Sequence, residues 1–137
     1  MRIMGVDYGD ARTGIAISDL LCSIVGITTV IHSRNADKTV DAICELIERE
    51  GVGEIVVGLP KNMDGTEGSR AELCREFAQR LRDVTGLPVA MWDERRTTVE
   101  AHNILSQHNY HGKKRKDTVD AVAASLILEG YLQYRNK

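Results

Sequence analysis

The stretch "MGVDYGDARTG", residues 4–14, decides the fold of this chain. Met4, Val6 and Tyr8 alternate with Gly5, Asp7 and Gly9, the period of a strand with two different faces. The run stays apolar up to Asp7, so a carboxylate stands near the tip of a strand that otherwise belongs in a core. Residues 2–8 and 13–19 read as two strands joined by the polar turn Gly9-Asp10-Ala11-Arg12, which predicts a hairpin. Gly9 is expected to keep that turn from crowding Asp7. Gly14, in the partner strand, is expected to let another backbone pass closely.

Beyond the hairpin, Ile27 to Ile31 reads as a third strand. A helix starts near Asp37, carries Val40, Ile43, Cys44 and Ile47 at helical spacing, and stops at Gly51. Glu54 to Leu59 is a short buried strand followed by a polar loop from Pro60. Ser69 to Thr85 is a helix with Leu73, Phe77 and Leu81 on one stripe, and Leu87 to Trp92 is a strand that runs into Asp93-Glu94-Arg95-Arg96. Thr97 and Glu100 have capping-box spacing for a helix of about ten residues. A basic loop from Asn109 to Lys116 precedes a last helix, capped by Asp117 and running to Tyr134. Three strands in a row, then helices alternating with strands, predict a single α/β domain over residues 1–137: a mixed sheet flanked by helices.

The bulk composition narrows the function classes. With 42% hydrophobic and 28% charged residues, the chain is of ordinary globular type. A net charge of −2 supplies no global field for a polyanion, so a nucleic-acid partner would need a local basic patch or metal ions. The three cysteines, Cys22, Cys44 and Cys74, are far apart and odd in number, which predicts buried thiols in a reducing compartment. His102, His108 and His111 lack cysteine partners for a zinc site. The N-terminus runs directly into the first strand and no apolar run reaches membrane-spanning length, so a cytoplasmic location is expected.

Most of the 20 acidic residues lie where polar helix faces explain them. Asp7, the pair Asp93/Glu94 and Asp120 do not. Asp93 and Glu94 end a strand, and alternation allows only one of them to share a side with Asp7; the other is free to pair with Arg95 or Arg96. At about 100° per residue, Asp120 projects between Ile127 and Tyr131, at the edge of a stripe centred on Val119, Ala123, Leu126 and Gly130. Small residues at 121 and 123–125 let that helix approach the sheet. Carboxylates gathered in one cleft repel one another unless a cation joins them. Oxygen-only donors favour Mg²⁺ or Mn²⁺, and two such ions roughly 4 Å apart suit hydrolysis of a phosphodiester.

With these residues in place, the chain resembles the YqgF family, also called RuvX, of the RNase H-like superfamily. The matching segments are "VDYGDARTGIAISD" (6–19), "IVVGLPKNMDGTEGSRA" (55–71), "WDERRTTVEA" (92–101) and "KDTVDAVAASLILEGYL" (116–132). The resemblance implies an RNase H-like fold: a five-stranded mixed sheet, its first three strands antiparallel, with helices on both faces. It implies a metal-dependent endonuclease, either processing the 5′ end of pre-16S rRNA in ribosome biogenesis or resolving Holliday junctions. Its metal-binding, catalytic carboxylates map onto Asp7, Glu94 and Asp120, with Asp93 in reserve for Glu94. The family often has Lys-Arg where this chain has Ala11-Arg12, so one phosphate contact is missing from that turn.

Arg12, Asn62, Thr66, Arg70 and Arg95 are the expected nucleic-acid contacts around the strand ends. The run Lys113-Lys114-Arg115-Lys116, just before the helix bearing Asp120, is expected to touch the backbone. Two other classes compete. The D-x-G-x-x-x-x-G motif is shared with ATP-using phosphotransferases, but those need two domains and this chain has length for one. A non-catalytic nucleic-acid-binding ribosome-assembly factor would keep the acids for structure alone.

Overall fold

The structure, a computed structural model, describes residues 1–96 and 112–136. Five strands form one mixed sheet in the order β3-β2-β1-β4-β5. These are β1 (Arg2–Asp7), β2 (Arg12–Ser18), β3 (Val25–His32), β4 (Val52–Leu59) and β5 (Val89–Asp93). The first three are antiparallel neighbours, and β1, β4 and β5 run parallel. The predicted hairpin is therefore present, with Asp7 opposite Gly14 in its ladder. No helix among the described residues is long and apolar enough to cross a membrane.

Among the described residues, three helices cover the two faces. On one face, α1 (Ala36–Glu50) and α2 (Ser69–Thr85) bury Val40, Ile43, Phe77 and Leu81 against Met4, Val6, Ile15 and Val57. Asn35 caps α1 by accepting from the Lys38 N–H, and Gly51 ends it in the left-handed conformation at φ 67°. On the other face, α3 (Gly112–Arg135) lays Ala124, Ile127, Leu128 and Leu132 against Ile3, Ala16, Val56 and Trp92. The cysteines are free thiols; Cys22 and Cys74 are buried and Cys44 is half-buried.

Four expectations need correction. The last helix begins at Gly112, so Gly112 to Lys116 are helical and Asp117 is not its cap. Lysine and arginine are good helix formers, and neither Gly nor Pro interrupts residues 113–129. Secondly, the buried face of α3 centres on Ala124, Ile127 and Leu128, while Val119, Ala123 and Gly130 are half-buried. The sheet sets that rotation, because Gly5 and Gly14 form a trough: a Cβ on Gly5 would lie 2.9 Å from Leu128 Cβ. Thirdly, Leu73 is 44% exposed, and Ala71, Cys74 and Ala78 take its place beside Phe77 and Leu81. These small residues let α2 lie close to the sheet. Finally, Gly9 is required by the Arg12 carbonyl, 2.2 Å from where its Cβ would sit, rather than by Asp7. The capping box at Thr97 and Glu100, and the loop residues 109–111, lie outside the described residues.

Candidate active site

Strand alternation aims the first carboxylate. Ile3 packs against α3, and Met4 and Val6 pack on the opposite face with α1 and α2. Asp7, two pleats beyond Ile3, therefore shares the α3 side at the C-terminal end of β1. In β5, Trp92 faces α3; Asp93 is the last strand residue, and Glu94 opens a single 3-10 turn (Glu94–Arg96). Glu94 reaches across the end of β4 and shares a hydrogen bond with Asp7. Gly58 of β4 makes that crossing possible, since a Cβ there would lie 2.9 Å from Glu94 Cδ and 2.6 Å from Ile127 Cδ1.

The carboxyl pair is electrostatically loaded. Burial, then the charge and hydrogen bond of Glu94 and the charge of Asp120, push Asp7 well above the ordinary carboxylate range. Burial also raises Glu94, opposed by its hydrogen bond to Asp7 and by Arg70. A hydrogen bond between two carboxyl groups needs one proton, so the pair retains a proton that isolated carboxylates would release. Arg70, in the first turn of α2, is the nearby compensating cation. It donates to the Tyr8 carbonyl and to Asp10 Oδ1 at 2.9 Å, with its guanidinium 5.5 Å from the Tyr8 ring centre.

Asp120 comes from α3 at the point of closest helix–sheet approach. A Cβ on Gly14 would lie 2.1 Å from the Asp120 carbonyl oxygen, so the expected close passage of a backbone is present. The Asp120 side chain is held by Arg12, Nε to Oδ2 at 2.7 Å. One turn earlier, Asp117 Oδ2 lies 3.2 Å from His32 Nε2, while its Oδ1 is buried with no hydrogen-bond partner among the described residues. Asp117 and His32 are not singled out by the sequence. The i, i+3 spacing of Asp117 and Asp120 is a usable signal, masked when Asp117 is read as a cap.

Asp93, Arg95, Asn62 and Thr66 have partners of their own. Asp93 faces away from Asp7 and binds Arg95 through Nη2 at 2.6 Å, which holds its carboxyl below the usual range. Arg95 also donates to the carbonyls of Asn62 and Met63, at 3.5 and 3.4 Å, and so ties the 60–68 loop to the end of β5. Within that loop, Asn62 Nδ2 donates to Thr66 Oγ1 at 2.9 Å, and Thr66 Oγ1 donates to Asp64 at 2.6 Å. Lys113, Lys114, Arg115 and Lys116 lie in the first turns of α3, directly before Asp117 in the chain.

The donor chemistry suits a hard divalent cation. Asp7 and Glu94 already touch, and Asp120 is close enough to raise Asp7. Burial pushes the neighbouring Cys74 thiol up to about 11, so it stays neutral and leaves an oxygen-only set. Among the described residues, however, no three His, Cys, Asp or Glu side chains converge as a finished cage. The third carboxylate is turned to Arg12 instead.

Comparison with known proteins agrees with this architecture. The profile of the RuvX family, described as "Holliday junction resolvase", matches residues 1–134. A protein of Halothermothrix orenii named "Putative pre-16S rRNA nuclease" is 49% identical over 137 residues, covering 100% of this chain and 98% of the relative. A protein of the same name from Carboxydothermus hydrogenoformans is 42% identical, covering 100% and 99%. Among solved structures, Thermus thermophilus RuvC in complex with a Holliday junction superposes with a TM-score of 0.63 at 12% identity, covering 99% of this chain and 96% of that one. The fowlpox virus resolvase with Holliday junction DNA gives 0.60 at 12%, covering 100% of both. These two likenesses establish the RNase H-like fold.

Proposed function

The chain belongs to the RuvX family, and on that premise we propose that it is a metal-dependent endonuclease that hydrolyses a nucleic-acid backbone. Its substrate on this reading is precursor 16S rRNA, in keeping with the names of two relatives matched over the whole chain, and the reading puts the cut at the 5′ end, in the cytoplasm. The observation that carries the reading is the hydrogen bond between Asp7 and Glu94 at the ends of two parallel strands, with Asp120 on α3 held by Arg12 and close enough for its charge to raise Asp7. A structural role alone does not account for two touching carboxyl groups that both resist ionisation.

Asp7, Glu94 and Asp120 would hold one or two Mg²⁺ or Mn²⁺ ions, which supply an activated water and stabilise the leaving oxygen of a phosphodiester. To serve as ligands, Asp7 and Glu94 would release their shared proton to solvent. Arg70, anchored by Tyr8 and Asp10, keeps a fixed positive charge beside the pair. Arg95 holds Asp93 and the 60–68 loop in place, so the wall of the cleft is set before substrate arrives. Phosphate contacts from Arg12 and the 113–116 run would orient the strand across the carboxylates.

The family's description favours a second substrate, a four-way DNA junction, which presents the same phosphodiester. Cleavage of precursor 16S rRNA and of a four-way junction, side by side under Mg²⁺ and Mn²⁺, tests both. Cleavage of RNA alone supports the first reading and of DNA alone the second. Failure with both, alongside nucleic-acid binding, would point to a non-catalytic assembly factor.

A further inference from the structure

We propose that Arg12 is a positioning residue: it holds Asp120 as an internal counter-ion and exchanges it for a backbone phosphate when nucleic acid binds. The consequence is that nucleic acid and the divalent cation enter the site cooperatively. This inference rests on the nuclease reading above.

Three observations carry it. Arg12 Nε meets Asp120 Oδ2 at 2.7 Å, so a cation seeking that oxygen must compete with a guanidinium. The competition bears on whether the site is complete, because Asp120 is close enough for its charge to raise Asp7, yet its Oδ2 is engaged by Arg12 and no three carboxylates converge among the described residues. The backbone of Asp120 is pinned against Gly14, so Asp120 can change partners by side-chain rotation without undocking α3.

Of Arg12, Arg70 and Arg95, Arg12 is also the one best placed to let go. Its side chain is 31% exposed against 17% for Asp120, so it can turn outward while the carboxylate stays inside. Arg70 is anchored by a carbonyl, a carboxylate and an aromatic ring. Arg95 is anchored by Asp93 and two loop carbonyls. A phosphate offers a guanidinium the same paired acceptors as a carboxylate, so the exchange replaces one ion pair by another.

The sheet corner repeats the arrangement. His32 is the cross-strand partner of Arg12, and it lies 3.2 Å from Asp117, one helical turn before Asp120. Adjacent residues of β2 and β3 thus engage both acids on this turn of α3.

The test is calorimetric Mn²⁺ binding by wild type, Arg12→Gln, Arg12→Lys and Asp7→Asn. Each is measured alone and with a phosphorothioate-backbone RNA hairpin that resists cleavage. Removing one partly exposed ionic competitor should make Arg12→Gln bind Mn²⁺ about fivefold tighter than wild type without RNA. By reciprocity the hairpin should tighten Mn²⁺ binding by wild type about fivefold, and by Arg12→Gln less than about twofold. Arg12→Lys keeps the charge and should behave as wild type, which separates the charge from the fold; thermal melting of each variant confirms folding. Equal or weaker Mn²⁺ binding by Arg12→Gln, or equal enhancement of both proteins by the hairpin, overturns the counter-ion exchange alone. If wild type binds no Mn²⁺, or Asp7→Asn binds it equally well, the metal site itself fails and the exchange with it.

Discussion

Asp7 and Glu94 share a hydrogen bond although they stand far apart in the chain, because β4 sets the ends of β1 and β5 one strand apart. Gly58, on the strand between them, leaves the space that Glu94 crosses. The pair holds a proton because burial opposes ionisation of both groups, reinforced at Asp7 by the charges of Glu94 and Asp120 and at Glu94 by that of Asp93.

The pair makes stability depend on pH in a defined direction. A carboxyl group whose folded pKa is raised binds more protons folded than unfolded between the two values. Without added metal, stability should therefore fall as pH rises from about 4, the unfolded carboxylate range, through the raised value of Asp7, and then level off. Asp93, with its lowered pKa, acts in a separate window, its contribution being lost only as pH falls below about 4. Urea midpoints between acid and neutral pH should show a shallower decline for Asp7→Asn than for wild type. Parallel profiles would mean that the Asp7 proton is not linked to folding.

Divalent cations should reverse the penalty. At roughly 100 times its dissociation constant, an ion that binds only the folded state adds about 2.7 kcal/mol, or roughly 10 °C in Tm for a chain of this size. The shift should grow with pH, since the shared proton must leave before both carboxylates can bind. Asp7→Asn should abolish most of it. A Tm that ignores millimolar Mg²⁺ and Mn²⁺ counts against the site.

Gly14 tests the seat of α3. Its Cβ would strike a backbone carbonyl, which cannot swing aside as a side chain can. Gly14→Ala should cost about 3 kcal/mol of stability, read by denaturant unfolding. Gly26→Ala makes a suitable control, because the nearest atom to its Cβ would be 3.7 Å away, an ordinary contact. Similar losses in both variants would refute the close packing of α3 on β2.

Gly58 tests the position of Glu94. The atoms that a Cβ at 58 would meet are side-chain atoms of Ile127 and Glu94, which can yield. Gly58→Ala should therefore leave the fold intact while displacing the carboxylate, lowering kcat by about 100-fold with a smaller change in KM. Retained kcat would separate Glu94 from the chemistry.

Local period and turn chemistry make much of this legible in the amino-acid sequence alone. Alternation in β1 puts Asp7 on the face opposite Met4 and Val6, and alternation at Asp93 and Glu94 sends one to Arg95 and one to Asp7. What escapes depends on how elements approach one another. The rotation of α3 is set by a trough at Gly5 and Gly14, which helical periodicity cannot register. Asp117 reads as a cap because its partner, His32, lies on a strand far upstream. Asn62 and Thr66 read as nucleic-acid contacts, and the hydrogen bond between them is not legible because an intraloop bond leaves no periodic trace.

Whether the carboxylates cut RNA is decided by incubating precursor 16S rRNA with wild type and Asp7→Asn under Mn²⁺ or Mg²⁺ and mapping the 5′ ends. Wild type should cut the precursor only with metal, and Asp7→Asn, folded and still able to bind RNA, should lose at least about 100-fold of that activity. Metal-independent cleavage, or equal cleavage by the two proteins, would contradict a nuclease built on Asp7 and a divalent cation.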